Sequence, residues 1–381
     1  MENNIFTIPE GLSPEMVAMV EKVLKIRFPE VQEKPEVGKW YRISPSGCVT
    51  SRGTPWHAEY KQGTKNNLII QFGGGGVSWS EYMAARPSSL IQGEEPQFYF
   101  PDTAWVADAQ VNQGICLERE DNPFKDWSVL VLPYSSGDFH CGTSDFSYTA
   151  LDGTKKILHH HGYSNFHDVM RKVMQFVPQP VKILVCGESA GGFGTALMTD
   201  EVIRLYPDCK DVTCCVDSSL ILKKDWNAAT EVWGTPKRIV ERIHSDNITF
   251  DLLKALWQEH GEQVKILFIC SIRDMLLVNM QNYVDVGNMN GDKTAADNFQ
   301  MNLTKMCAQL QEEIPTCGLY IFDTPMQGAP EECHFTMHTI LMDNALYDLK
   351  IDNVPLLVWL WQAVNGDVKR LGLDLLVNRK C

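Results

Sequence analysis

"VKILVCGESAGGFGTALMTDEVIRLYP" (residues 181–207) runs from an apolar stretch, through a turn of small residues, into an amphipathic segment. "VKILVCG" (181–187) is continuously apolar rather than alternating, which predicts a strand covered on both faces. "GTALMTDEVIRLY" (194–206) has helical periodicity. Between them, Gly187-Glu188-Ser189-Ala190-Gly191 fits a Gly-x-Ser-x-Gly turn, whose sharp bend lifts the serine above a sheet. The glycines leave space where a side chain would clash. The start of the following helix brings positive potential to the point where an oxyanion forms. Ser189 is therefore the candidate nucleophile, with an ordinary turn residue as the alternative.

Working outward, five further apolar runs predict strands: "NNLIIQF" (66–72), "WSVLVLPY" (127–134), "VTCCVDSS" (212–219), "VKILFICS" (264–271) and "LYIFDTP" (319–325). Helical patterns at 164–177, 194–206 and 295–314 fall between several of them. This alternation predicts an α/β fold of the α/β-hydrolase-like type, a mostly parallel central sheet with helices on both faces. With no repeat or linker, residues 1–381 read as one domain. Residues 1–45 form an N-terminal extension that includes a helix over 13–28, with Ser13 as cap and Pro14 in the first position. Residues 77–126 and 220–262 interrupt the alternation and are expected to be cap insertions.

A serine hydroxyl needs a base, and the base needs an orienting acid. In this fold they follow in the order serine, acid, histidine, at the ends of later strands. Asp274 lies just past the strand at 264–271, and "MQGAPEECHFTMHTILM" (326–342) carries His334 and His338. His338 is preferred because the apolar "TILM" behind it can anchor the loop; His334 is the alternative base. Asp217 is a rival acid, one strand too early. "QFGGGGVSW" (71–79) directly follows a strand, and the N–H groups of Gly74 and Gly75, with that of Ala190, are expected to form an oxyanion site. No Gly-Lys-Ser/Thr follows those glycines, so phosphate binding is disfavoured. "VLPYSSGDFHCG" (131–142) brings Tyr134, Asp138 and His140 to the same edge. Together with Trp79 they are candidate substrate-binding residues.

The other signals are mostly exclusions. A formal net charge of −14 argues against a nucleic-acid surface, which needs clustered Lys and Arg. There is no basic segment leading into a long apolar core at the N-terminus and no long apolar span, so a cytoplasmic chain without membrane contact is expected. The 12 cysteines show no zinc-type spacing, and several sit inside strand runs as packed thiols. "HHHGY" (159–163) resembles a metal cluster, but adjacent residues on a strand point to opposite faces. No metal and no organic cofactor is expected.

With these pieces placed, the chain resembles the pectin acetylesterase and Notum-like carboxylesterase family, in its bacterial-type form. The likeness runs from about Cys48 to His338. It is carried by "CVTSRGTPWHAEYKQGTKNNLIIQFGGGGVSW", "GICLEREDNPFKDWSVLVLPYSSGDFHCGT", "VCGESAGGFGT" and "VTCCVDSS". The resemblance implies a serine esterase with Ser189 as nucleophile, Asp274 as acid, and Gly74, Gly75 and Ala190 at the oxyanion. Family members often carry a cysteine shortly before the histidine, and Cys333 registers with either His334 or His338. The expected function is hydrolysis of short O-acyl esters, acetyl foremost, on a small carbohydrate-like or oligosaccharide substrate. A lipid-type deacylase with longer acyl chains and an inactive hydrolase fold used for binding are the alternatives. The oligomeric state is left open.

Overall fold

The continuous apolar runs become the inner strands of a nine-stranded sheet in the computed structural model, which describes residues 8–9, 11–90 and 95–377. The strands are β1 (Trp40–Ile43), β2 (Ala58–Lys61), β3 (Asn67–Phe72) and β4 (Ser128–Leu132), then, after a separate hairpin of β5 (Ser144–Thr149) and β6 (Lys155–His160), β7 (Lys182–Glu188), β8 (Val212–Asp217), β9 (Val264–Ser271) and β10 (Gly318–Phe322). A short ribbon of β11 (Lys350–Ile351) and β12 (Val354–Pro355) precedes the last strand, β13 (Arg370–Leu371). The order across the sheet is β1-β2-β4-β3-β7-β8-β9-β10-β13. β1, β2 and β4 pair antiparallel, while every pair from β4 to β13 is parallel.

Period-two alternation divides each inner strand between two cores. Val185 and Val216 face a large cluster with Val169, Leu197 and Leu303, whereas Leu184, Cys186 and Cys215 face a second one with Leu356 and Trp359. The first cluster is covered by α4 (Gly162–Phe176), α5 (Ala190–Leu205), α8 (Ile248–His260), α9 (Met275–Val286) and α10 (Lys293–Glu313); the chain-order numbering also takes in α1 (Pro14–Leu24), α2 (Glu81–Ala84), α3 (Ala104–Gln110), α6 (Trp226–Trp233) and α7 (Lys237–Val240). The second is covered by α11 (Leu356–Val364). Ser13 caps α1 as its sequence predicts, accepting a hydrogen bond from the Met16 N–H at 3.3 Å.

The structure adds two features that apolar runs do not announce. β2 is wholly buried although it reads Ala-Glu-Tyr-Lys; its Lys61 Nζ reaches Glu118 at 3.1 Å. The β5–β6 hairpin is polar on one side and stands outside the main sheet. Part of the expected N-terminal extension, residues 40–43, is itself the edge strand. All eleven cysteines among the described residues are buried and free. Among those residues, no helix is long and apolar enough to cross a membrane.

The strand order also locates a crevice. From β3 the chain goes to β4 on one side, then returns to β7 on the other. In open α/β sheets such a switch leaves a cleft at the carboxyl ends of the two strands. Those ends carry the glycine run after β3 and Ser189 after β7.

Candidate active site

Ser189 stands between β7 and α5 with φ 55° and ψ −123°, a left-handed conformation that a side chain seldom adopts. Such a conformation costs about 1–3 kcal/mol and persists only when the surroundings impose it. Here the Ser189 N–H donates to the Asp217 carbonyl at 2.9 Å, and the Ser219 hydroxyl donates to the Ser189 carbonyl at 2.8 Å. The glycines follow from close approach. A Cβ on Gly191 would lie 1.9 Å from the Phe72 carbonyl oxygen, and one on Gly187 would lie 2.4 Å from that of Gly191. Ala190 begins α5, so its N–H has no intrahelical acceptor.

The glycine run crosses in front of this turn. Gly73 N–H donates to the Leu132 carbonyl at 3.0 Å, and the Gly75 carbonyl accepts from Phe100 N–H at 2.8 Å. Of the three expected oxyanion donors, the Gly74 N–H is already given to Glu188 Oε1 at 3.1 Å. It is therefore not free to meet an oxyanion. The Gly75 N–H, like that of Ala190, has no acceptor among the described residues. Glu188 also receives the Gln71 amide at 2.6 Å. Burial pushes its carboxyl up to about 8, and the nearby Asp217 adds to the effect.

Asp274 and His338 meet at the end of β9. His338 Nδ1 lies 2.7 and 2.8 Å from the two Asp274 oxygens, and Asp274 is fully buried. Burial alone would lower the His338 imidazole, but the Asp274 carboxylate, with Asp217 farther off, outweighs it and holds the group above its ordinary range. His334 has φ 49° and is exposed at the close of a short turn; among the described residues the imidazole paired with Asp274 is that of His338. Of the two histidines, His338 is the one beside the carboxylate.

The segment before His338 is fastened to the loop after β9. Thr336 N–H donates to the Arg273 carbonyl at 3.0 Å, and the Thr336 hydroxyl accepts from Arg273 N–H at 2.9 Å. The Arg273 guanidinium donates to the Cys333 carbonyl at 3.0 Å and to Gln300 at 3.1 Å. Beyond the histidine, Asp217 Oδ2 accepts the N–H groups of Ile340 and Leu341 at 2.7 and 2.9 Å. Burial pushes the Asp217 carboxyl up to about 6 in spite of these donors. Asp217 thus binds the serine turn through its carbonyl and the histidine loop through its carboxylate. Its position at a strand end, in "VTCCVD", was the signal for it; anchoring rather than proton transfer is the role its contacts define.

Tyr134, Asp138 and His140, expected to meet substrate, are buried and make hydrogen bonds within the protein. Asp138 accepts from Ser136 Oγ and from the N–H groups of His140, Gly142 and Gly162. His140 Nε2 lies 2.9 Å from the Gly73 carbonyl, and the Tyr134 hydroxyl accepts from Phe139 N–H at 3.2 Å. These bonds satisfy a tight turn packed behind the glycine run. Trp79 differs: it is half-buried, edge-on to Trp226 with ring centroids 5.8 Å apart.

A nucleophile candidate on a strained turn, free backbone donors and a carboxylate-bound imidazole loop therefore share one rim of the sheet. Compared with models of known protein families, the chain matches the one for Pectinacetylesterase over residues 51–254. That span takes in the glycine run, Ser189 and Asp217 and ends before Asp274. Among curated proteins, nothing matches.

Proposed function

The chain belongs to the pectinacetylesterase family, a family of carboxylic ester hydrolases acting on acetyl esters, and we propose that it works through an acyl-enzyme formed on Ser189. In this reading His338 takes the Ser189 proton as the hydroxyl attacks the ester carbonyl. Asp274 fixes the imidazole through Nδ1, leaving Nε2 for the transfer. The Gly75 and Ala190 N–H groups receive the negative charge of the tetrahedral intermediate. The protonated imidazole then gives its proton to the departing alcohol oxygen. Water, deprotonated by the same imidazole, attacks the acyl-enzyme and releases the acid. The substrate proposed is a short-chain, chiefly acetyl, ester of a carbohydrate-like alcohol.

One observation carries this reading: the pairing of His338 with buried Asp274 on the rim that also holds the Ser189 turn. Residues 77–126 and 220–262 are proposed as the walls over the cleft; their contacts with each other, through Trp79–Trp226 and from the Trp233 indole to the Ser78 carbonyl at 2.7 Å, fit that role. A longer acyl chain is the second reading, favoured by Phe100, which is 47 % exposed beside Gly75. Hydrolysis of p-nitrophenyl acetate, butyrate and octanoate separates them: kcat/KM is expected to be highest for acetate, and a steep rise with chain length favours the lipid-type enzyme. Ser189→Ala is expected to lose on the order of 10⁴–10⁶ in kcat and to escape fluorophosphonate labelling. Wild-type protein that neither turns over esters nor takes the label would instead support a binding role for the fold.

A further inference from the structure

His159 and His161 flank His160 in the run "HHH", and the β5–β6 pairing sets Asp145 directly opposite His159. Neighbours on a strand diverge, but residues two apart share a face. His160 turns inward, with its Nδ1 2.8 Å from the Ser136 carbonyl. The outer two turn together. His159 Nδ1 lies 2.6 Å and His161 Nε2 lies 2.9 Å from the same oxygen, Asp145 Oδ1. The three ligand atoms all fall within 4.8 Å of one another. A tetrahedral zinc ion with bonds of about 2.0–2.1 Å needs its ligand atoms about 3.3 Å apart. The two nitrogen–oxygen separations, 2.6 and 2.9 Å, lie within about 0.7 Å of that spacing.

Two other groups of this kind exist among the described residues, and each already holds a cation. In His57–Glu59–Asp108, Asp108 is paired with Arg42. In Asp200–Glu259–His260, Arg242 bridges both carboxylates and Arg204 adds to Asp200. Among the described residues, Asp145 has neither a guanidinium nor an ammonium partner; its ion-pair partners there are the two imidazoles. The site is also reachable, with side-chain exposures of 23 % and 25 % for the histidines and 53 % for the aspartate.

From this convergence we propose that Asp145, His159 and His161 form a binding site for a divalent transition-metal ion of the zinc type. Two imidazole nitrogens and one carboxylate suit zinc better than calcium or magnesium, which prefer all-oxygen ligands. Binding needs the lone pairs of His159 Nδ1 and His161 Nε2, so each ring carries its proton on the other nitrogen. A fourth position remains for water. The ion joins two strands of the hairpin to the start of α4, because His161 is the residue that precedes that helix. Its effect is a staple on the segment whose inward residue, His160, rests on the turn behind the glycine run. This differs from the sequence expectation of no metal, which weighed adjacent histidines rather than alternate ones.

Zinc titration of the full chain, followed by calorimetry and by the histidine ring resonances, tests this. Wild type is expected to take up one equivalent, moving two imidazole spin systems and raising the melting temperature. His159→Ala/His161→Ala is expected to bind that equivalent at least 100-fold more weakly, and Asp145→Asn about tenfold more weakly, with unchanged circular dichroism in metal-free buffer. Should the double variant fold poorly, the wild-type ring resonances still decide: shifts confined to other histidines overturn the proposal. So does equal zinc binding by wild type and double variant, or none by wild type.

Discussion

Ser189 is held mainly by the chain around it: its turn follows from Gly187, Gly191 and the strand and helix on either side, with the neighbouring ends of β3 and β8 packed against it. His338 is held from far away. Its carboxylate partner is 64 residues distant, and the anchor of its following residues, Asp217, lies 123 residues from Ile340. The first region is local geometry under strain; the second is an assembly of buried hydrogen bonds. Such assemblies are sensitive, because removing one member leaves other buried polar groups without partners. The serine turn and the histidine loop should therefore fail in different ways when perturbed.

Asp274→Asn tests the histidine loop of that contrast with a large expected effect. The amide keeps the size of the side chain but presents N–H as well as oxygen to His338, so the imidazole is no longer fixed in the productive tautomer. A loss of about 10⁴ in kcat is expected with little change in KM. The imidazole also loses the charge that holds it above its ordinary range. The acidic limb of any residual activity should accordingly move to lower pH. A variant with wild-type kcat would mean that the carboxylate does not orient the base.

The pH profile of the wild type sharpens the comparison next. As the proposed base, His338 acts as neutral imidazole, so kcat/KM should rise with pH through a midpoint above the usual histidine value of about 6.5. Glu188 then works in the opposite direction. Its carboxyl, pushed up to about 8 by burial, is mostly protonated at neutral pH and becomes an anion beside the proposed oxyanion donors above that point. A fall in kcat/KM near pH 8 is expected, severalfold in size, and Glu188→Gln should abolish it. An alkaline limb that survives unchanged in Glu188→Gln would assign it to another group.

Ser189→Gly has the smallest expected effect on stability and separates strain from chemistry. Glycine adopts positive φ freely, so part of the roughly 1–3 kcal/mol of backbone strain is relieved. The greater entropy of glycine in the unfolded chain offsets about 0.5–1 kcal/mol of that gain. A net stabilisation of about 1 kcal/mol by urea unfolding is expected, together with loss of esterase activity. Destabilisation by a similar amount would show that the turn is not strained.

The same contrast explains what the sequence made legible. Continuous apolar runs placed the inner strands, because parallel strands buried on both faces leave a strong local pattern. β2 escaped notice because its Glu59 and Lys61 are buried by tertiary contacts that no period announces. The β5–β6 hairpin escaped because its polar strands pair outside the main sheet. His334 and His338 lie four residues apart in one loop, and distant contacts, of Thr336 with Arg273 and of Ile340 and Leu341 with Asp217, set which of them faces Asp274. Tyr134, Asp138 and His140 looked like a ligand edge because polar side chains at a strand end carry the same signature whether they meet a substrate or a turn.

The most direct measurement compares two alanine variants, His338→Ala and His334→Ala, by steady-state hydrolysis of p-nitrophenyl acetate with folding checked by circular dichroism. His338 as the base predicts a fall of about 10⁴ or more in kcat for the first and near wild-type turnover for the second. An inactive His334→Ala beside an active His338→Ala would contradict the account.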